Sequence, residues 1–249
     1  MRAVINVLLL SALALSSSTN VGAFAKPNDS FDGMIIELQN DPIGRMTWYL
    51  SPKGAKTISP IAAMIATPQV GHLIAYNPDT KKYFLTADIK AMRHAMENFA
   101  TVVNRKKYHW TKWQLVGQET ISGIKCKHLR RTLASPPEDK GKGLTSSFID
   151  DAWVSTLDDR KSYQQYLNPL TSIFSSDMPY ASVAMKRISV WNVYQGGKLV
   201  KTDPKDEVRV LSVKKVKFTP DEFAVPKGCK QVSTLAEVMP DDMTFGFPR

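Results

Sequence analysis

Two cysteines, four histidines and three aspartate doublets are the residues of this chain best equipped for chemistry. Their spacing decides which chemistry is open to them. His72, His94, His109 and His128 include no HxH or HExxH pair, and only Cys126 and Cys229 could join them as soft ligands, so no metal set is expected. His94 falls on the polar side of an amphipathic run, where it reads as a solvated imidazole. The doublets Asp150-Asp151, Asp158-Asp159 and Asp241-Asp242 could in principle supply an acid and a base. Adjacent residues point apart on a strand, however, and the reading for all three is solvation of loops and capping of helices. There is no GxSxG elbow, and Gly141-Lys142-Gly143 lacks the longer glycine frame of a phosphate loop. No catalytic residue and no cofactor is therefore assigned. Trp48, Trp110, Trp113, Trp153 and Trp191 can line an aromatic cleft or simply fill a core.

The elements that must position these residues are mostly strands. Phe31 to Leu38 and Met46 to Leu50 are short apolar runs, the second placing Met46, Trp48 and Leu50 on one face at the period of a half-buried strand. His72 to Tyr76 and Lys81 to Leu85 flank Asn77-Pro78-Asp79-Thr80, a hairpin turn preset by proline. Trp113 to Val116, Ile121 to Leu133 and Ile149 to Thr156 continue the pattern. Ile188 to Tyr194 and Lys198 to Lys201 bracket a Gly-Gly turn, and Val208 to Phe218 closes the series. One strong helix is expected from Asp88 to Arg105, with Ile89, Met92, Met96, Phe99 and Val103 in a single stripe. A weaker one spans Asp159 to Phe174, with Pro169 expected to break or kink it. Residues 134–147 read as a polar, mobile loop and 240–249 as a C-terminal tail.

Location follows from the first 25 residues. Arg2 supplies a positive start, Val4 to Leu15 is apolar but too short to span a bilayer, and Ala23-Phe24-Ala25 fits a small-x-small cleavage site. Residues 1–25 are therefore read as a signal peptide and 26–249 as one exported domain. Removing Arg2 lowers the formal charge by one, from +10 to +9, which suits anionic headgroups, acidic polysaccharide or an acidic protein as partner. Nucleic acid is disfavoured by the compartment. In an oxidising location the even cysteine count makes Cys126–Cys229 a candidate disulfide, closing a loop worth up to ~4.7 kcal/mol. The alternative is an ordinary buried thiol at Cys126, which shares its strand face with Ile124.

Four blocks carry a family resemblance: Gly117 to His128, Trp153-Val154-Ser155, Glu222 to Lys230, and the hairpin Ala75 to Tyr83. The first three resemble, in this order, the blocks of a domain family of unknown function related to the bacterial lipoprotein carriers of the LolA and LolB type, and the hairpin looks like that family's strand-turn-strand before its helix. The resemblance implies a periplasmic protein of the Gram-negative envelope. It also implies an α+β fold, mainly antiparallel, in which a curved open half-barrel sheet has helices covering its concave face. The carriers often place an arginine in an early strand facing that lid, where the stretch Ser51 to Lys56 offers lysine. The expected function is a non-enzymatic protein holding a lipid or other amphiphile in an apolar cavity, with peripheral membrane contact. Its cavity residues would be Met46, Trp48, Leu50, Ile74, Tyr76, Met92, Met96 and Phe99. An envelope sensing or protein-interaction module is the alternative, and a hydrolase the third reading.

Overall fold

The structure is a computed structural model and describes residues 30–41, 43–60, 62–66, 72–88, 90, 110–134, 143–159, 161–174, 178 and 182–238. The expected signal peptide, C-terminal tail and most of the helix expected from Asp88 to Arg105, including Met92, Met96 and Phe99, lie outside them. Twelve strands form one sheet: β1 Phe31–Asn40, β2 Gly44–Ser51, β3 Gly54–Ile58, β4 Ala63–Ala66, β5 Leu73–Asn77, β6 Lys82–Thr86, β7 Gln114–Ile121, β8 Ile124–Ala134, β9 Leu144–Ser155, β10 Ala184–Gln195, β11 Lys198–Phe218 and β12 Lys230–Gln231. Their order is β12-β6-β5-β4-β3-β2-β1-β11-β10-β9-β8-β7, so the sheet is open, with β12 and β7 at its edges. All pairs are antiparallel except β12 with β6.

One α-helix is present among the described residues, α1 at Lys161–Phe174, and it lies against β3 and β4. Tyr163, Tyr166, Leu167 and Leu170 recur at helical spacing and are all buried, which is why this stretch folds onto an apolar sheet face. The helix runs through Pro169 rather than ending there. Burial of the flanking Leu167 and Leu170 offsets the missing backbone donor, and Thr171 Oγ1 donates to the Leu167 carbonyl at 2.8 Å.

The opposite face is covered by the chain after β11. Pro220–Phe223 forms a 3-10 turn, and Phe223 stacks on Phe31 and meets Phe218 edge-on at 5.3 Å. Gly54 makes this possible, because a Cβ there would lie 2.6 Å from the Phe223 ring. Lys56 pairs with Glu222, its ammonium lying 4.3 Å from the Tyr49 ring centroid. The segment then adds β12 beside β6, with Lys230 N donating to Lys81 O, and sends Leu235 into the cluster under α1. The tail thus straps one face and rounds the β6 edge.

This architecture corrects the expected one. The described protein is a mainly β, open twelve-stranded sheet, and helices covering a concave face of a half-barrel are not what it displays. The physical reason lies in β3, β4 and β5, which are buried along almost their whole length on both faces. A strap on the second face replaces the solvent that a half-barrel would have there. The expected loop 134–147 is also shortened, since Leu144 already begins β9 and Gly143 turns into it at φ 65.

Candidate functional site

Two faces of one sheet sort the candidate residues. On the α1 side, Ile36, Leu38, Met46, Trp48, Leu50, Met64 and Leu73 form one buried cluster with the helix residues. Met46, Trp48 and Leu50 therefore share a face, as their alternation requires, and Trp48 retains only 5% exposure. Ile74 and Tyr76 do not join them. Both belong to the strap-side cluster with Ile65, Phe218 and Phe223, and the α1-side residues of β5 are Leu73 and Ala75. Every residue of β5 is buried, so its apolar run carries no sign of which face is which. Burial comes first in raising the Tyr76 phenol above its ordinary value, with nearby Tyr49 and Cys229 adding to it.

The α1-side cluster extends beyond the strands the helix touches. Met34, Val213, Val210 and Ile188 pack against it from β1, β11 and β10 while staying half-buried. Within the covered part, Thr57 is fully buried on β3, and its hydroxyl has no hydrogen-bond partner among the described residues. An orphaned hydroxyl in such a place costs about 1–3 kcal/mol.

The same face becomes charged over β8, β9 and β10. Arg130 forks onto Asp151, with Nε and Nη2 at 2.8 and 3.0 Å, and His128 Nε2 lies 2.7 Å from Asp151 Oδ1. His128 stacks on Trp153 at 4.1 Å, and the Lys186 ammonium sits 4.4 Å from the Trp153 ring centroid. Burial pushes the Asp151 carboxyl up, but the hydrogen bonds from Arg130 and His128 outweigh it and hold the group below its ordinary value of 3.8. The net charge of Arg130, Lys186 and Asp151 together is positive.

On the other face, the neighbouring Asp150 is only 1% exposed and lies between two arginines. Arg131 Nε donates to it at 2.9 Å, and Arg187 binds both carboxylate oxygens at 2.9 and 2.7 Å. Arg187 also approaches Glu207 at 3.3 Å, and the Arg131 guanidinium carbon lies 4.2 Å and 4.4 Å from the Trp110 and Trp113 ring centroids. The doublet Asp150-Asp151 does point apart, as strand geometry demands. Its role is a pair of ion networks, however, and neither member solvates a loop or caps a helix. The signal was present in sequence as Arg130-Arg131 facing Asp150-Asp151 in antiparallel register, 130 with 151 and 131 with 150.

Cys126, His128 and Asp151 share a face in an order that invites a nucleophilic reading. The Cys126 thiol is fully buried, donates to Ile124 O at 3.4 Å, and is pushed up to about 11, chiefly by burial. A thiol so protonated is a poor nucleophile. The candidate disulfide is also not formed. Cys126 lies on β8, next to the β7 edge, whereas Cys229 precedes β12 at the far edge of an open sheet, and both are free. Among the described residues no three His, Cys, Asp or Glu side chains gather to hold a metal ion, and no helix is long and apolar enough to cross a membrane.

Comparison of the chain with protein-family models, curated proteins and solved structures finds no match. The resemblance to the lipoprotein carriers therefore rests on its four sequence blocks alone.

Proposed function

We propose that this chain is an exported, non-enzymatic binding protein that holds an acyl chain or similar amphiphile on the α1 side of its sheet. The observation that carries the proposal is the half-buried apolar strip Met34, Val213, Val210 and Ile188, which continues the core cluster past α1 toward Lys186 and Arg130. An acyl chain laid on that strip gains ~0.8 kcal/mol per buried methylene, and an anionic headgroup at its end would meet Lys186 and Arg130. Met34 in this strip suits a ligand of variable shape, because an unbranched side chain repacks at small cost. The apolar segment Val4 to Leu15 after Arg2 supports export, and N-terminal sequencing of the mature protein should begin at Lys26.

Trp48 is too deeply buried to serve as the probe, since Trp48→Glu would unfold the core before it reported on ligand. The test uses Val213→Asp and Lys186→Glu, both at partly exposed positions, with circular dichroism confirming the fold. A fluorescent fatty acid should bind the wild type, and each variant should weaken it by about tenfold, or about 1.4 kcal/mol. Absence of binding by folded wild type, across chain lengths and headgroups, removes the proposal. A second reading, a protein-interaction module, is favoured by Leu115 and Val116, which stand exposed on the open edge strand β7.

A further inference from the structure

The β10–β11 ribbon ends in a tip whose composition neither core nor networks explain. Gly196 and Gly197, at φ 56 and 78, close the hairpin, and the two residues behind Lys198, Leu199 and Val200, are 56% and 55% exposed. Lys198 and Lys201 flank them, and Lys205 follows on the same strand against a single acid, Asp203, in residues 198–205. Further back, a row of rings crosses the strap-side face. Trp191 and Phe148 stack at 5.5 Å and 8°, and Trp110 meets Phe148 at 6.5 Å. Trp191 and Trp110 remain 40% and 37% exposed.

The distance between these features identifies their partner. Leu199 lies opposite Tyr194, three positions along β10 from Trp191, so the ring row stands roughly 10 Å behind the tip at ~3.3 Å per residue. That depth matches the gap between the acyl boundary and the headgroup level of a bilayer, where tryptophan concentrates. We infer that the β10–β11 tip docks on the surface of a bilayer containing anionic lipid. Leu199 and Val200 enter the acyl boundary, Lys198 and Lys201 extend their stems back to headgroup phosphates, and Trp191 lies at the interface. A second copy of this basic chain fits less well, because its own lysines would face those of the first tip. The inference stands apart from the acyl-chain proposal, since the tip is remote in register from Met34 and Val213.

The experiment uses the mature full chain with phosphatidylcholine vesicles, with and without phosphatidylglycerol, read by co-sedimentation and by tryptophan quenching from brominated acyl chains. Wild type should bind the anionic vesicles and be quenched, and Trp191→Phe should lose much of the quenching. The double variant Leu199→Asp with Val200→Asp should bind at least about tenfold more weakly, and Lys198→Glu with Lys201→Glu should lose the anionic preference. Both double variants should keep fatty-acid binding, which separates this outcome from failure of the acyl-chain reading. No vesicle binding by wild type would overturn the inference. So would equal binding by the Leu199/Val200 variant, or self-association abolished by that variant without any vesicle binding.

Discussion

Strands β1–β6 and strands β7–β10 belong to one sheet but are held by opposite chemistry. The first group is mainly apolar, and its strands β3, β4 and β5 are buried on both faces between α1 and the C-terminal strap. The second is largely exposed along β7 and half-buried along β10, and tied across its strands by Asp150 on one face and Asp151 on the other. Apolar burial is non-directional and tolerates repacking, so the first group suits a core. A buried ion network is specific in geometry and costly to break, and here it ties strands that also carry a small buried cluster, Leu129, Ala152 and Val154. Half-buried apolar side chains remain where the two groups meet, at Met34, Val210, Val213 and Ile188.

Removing one partner from the most buried network should have the largest effect. Asp150→Ala removes the carboxylate that the buried Arg131 and the half-buried Arg187 share and should cost about 3–5 kcal/mol in denaturant unfolding. Native-state hydrogen exchange should show the loss concentrated in β8, β9 and β10. Leu170→Ala, which empties a fully buried site under α1, should cost about 3 kcal/mol and loosen β3 and β4 first. If both variants loosened both regions equally, the sheet would be one cooperative unit and the contrast would fall.

Gly54→Ala sets a Cβ against Phe223 and should cost about 2 kcal/mol by displacing the strap, seen as faster exchange in β12 and easier proteolysis after Thr219. Acid should act on the charged region through Asp151. Because its folded pKa is depressed, its contribution is complete above its ordinary value of 3.8 and is lost as pH falls through the lower folded value. Stability measured across that range should decline less steeply in Asp151→Asn than in wild type, and equal slopes would remove Asp151 from the account. Smallest of all, Lys217→Ala breaks the wide-open pair with Asp32 and should leave the denaturation midpoint unchanged within error.

Strand positions were legible wherever one face alternates or a turn announces itself. Asn77 accepts from the Asp79 and Thr80 amides, so the hairpin expected at 77–80 forms as its turn chemistry requires. The short strands β3 and β4 were not legible, since Gly54–Ile58 and Ala63–Ala66 are only five and four residues long, rich in glycine and alanine, and buried on both faces without alternation. Strand β11 reads as two pieces around Pro204. The structure makes it continuous, with Pro204 opposite Val190 between two register shifts.

Local chemistry in the chain was enough to specify the hairpins, the period of β2, the apolar stripe of α1 and the divergence of Asp150 from Asp151. These depend on contacts a few residues apart or on a side-chain period, and both are written in consecutive residues. Tertiary structure alone decided that Ile74 and Tyr76 face the strap, that Cys126 and Cys229 sit near opposite edges of an open sheet, and that Arg130 and Arg131 meet the two aspartates. Each of those outcomes is set by strand order and register between segments tens to hundreds of residues apart. A run of residues buried on both sides carries no mark of its neighbours, so only the assembled sheet can assign its faces.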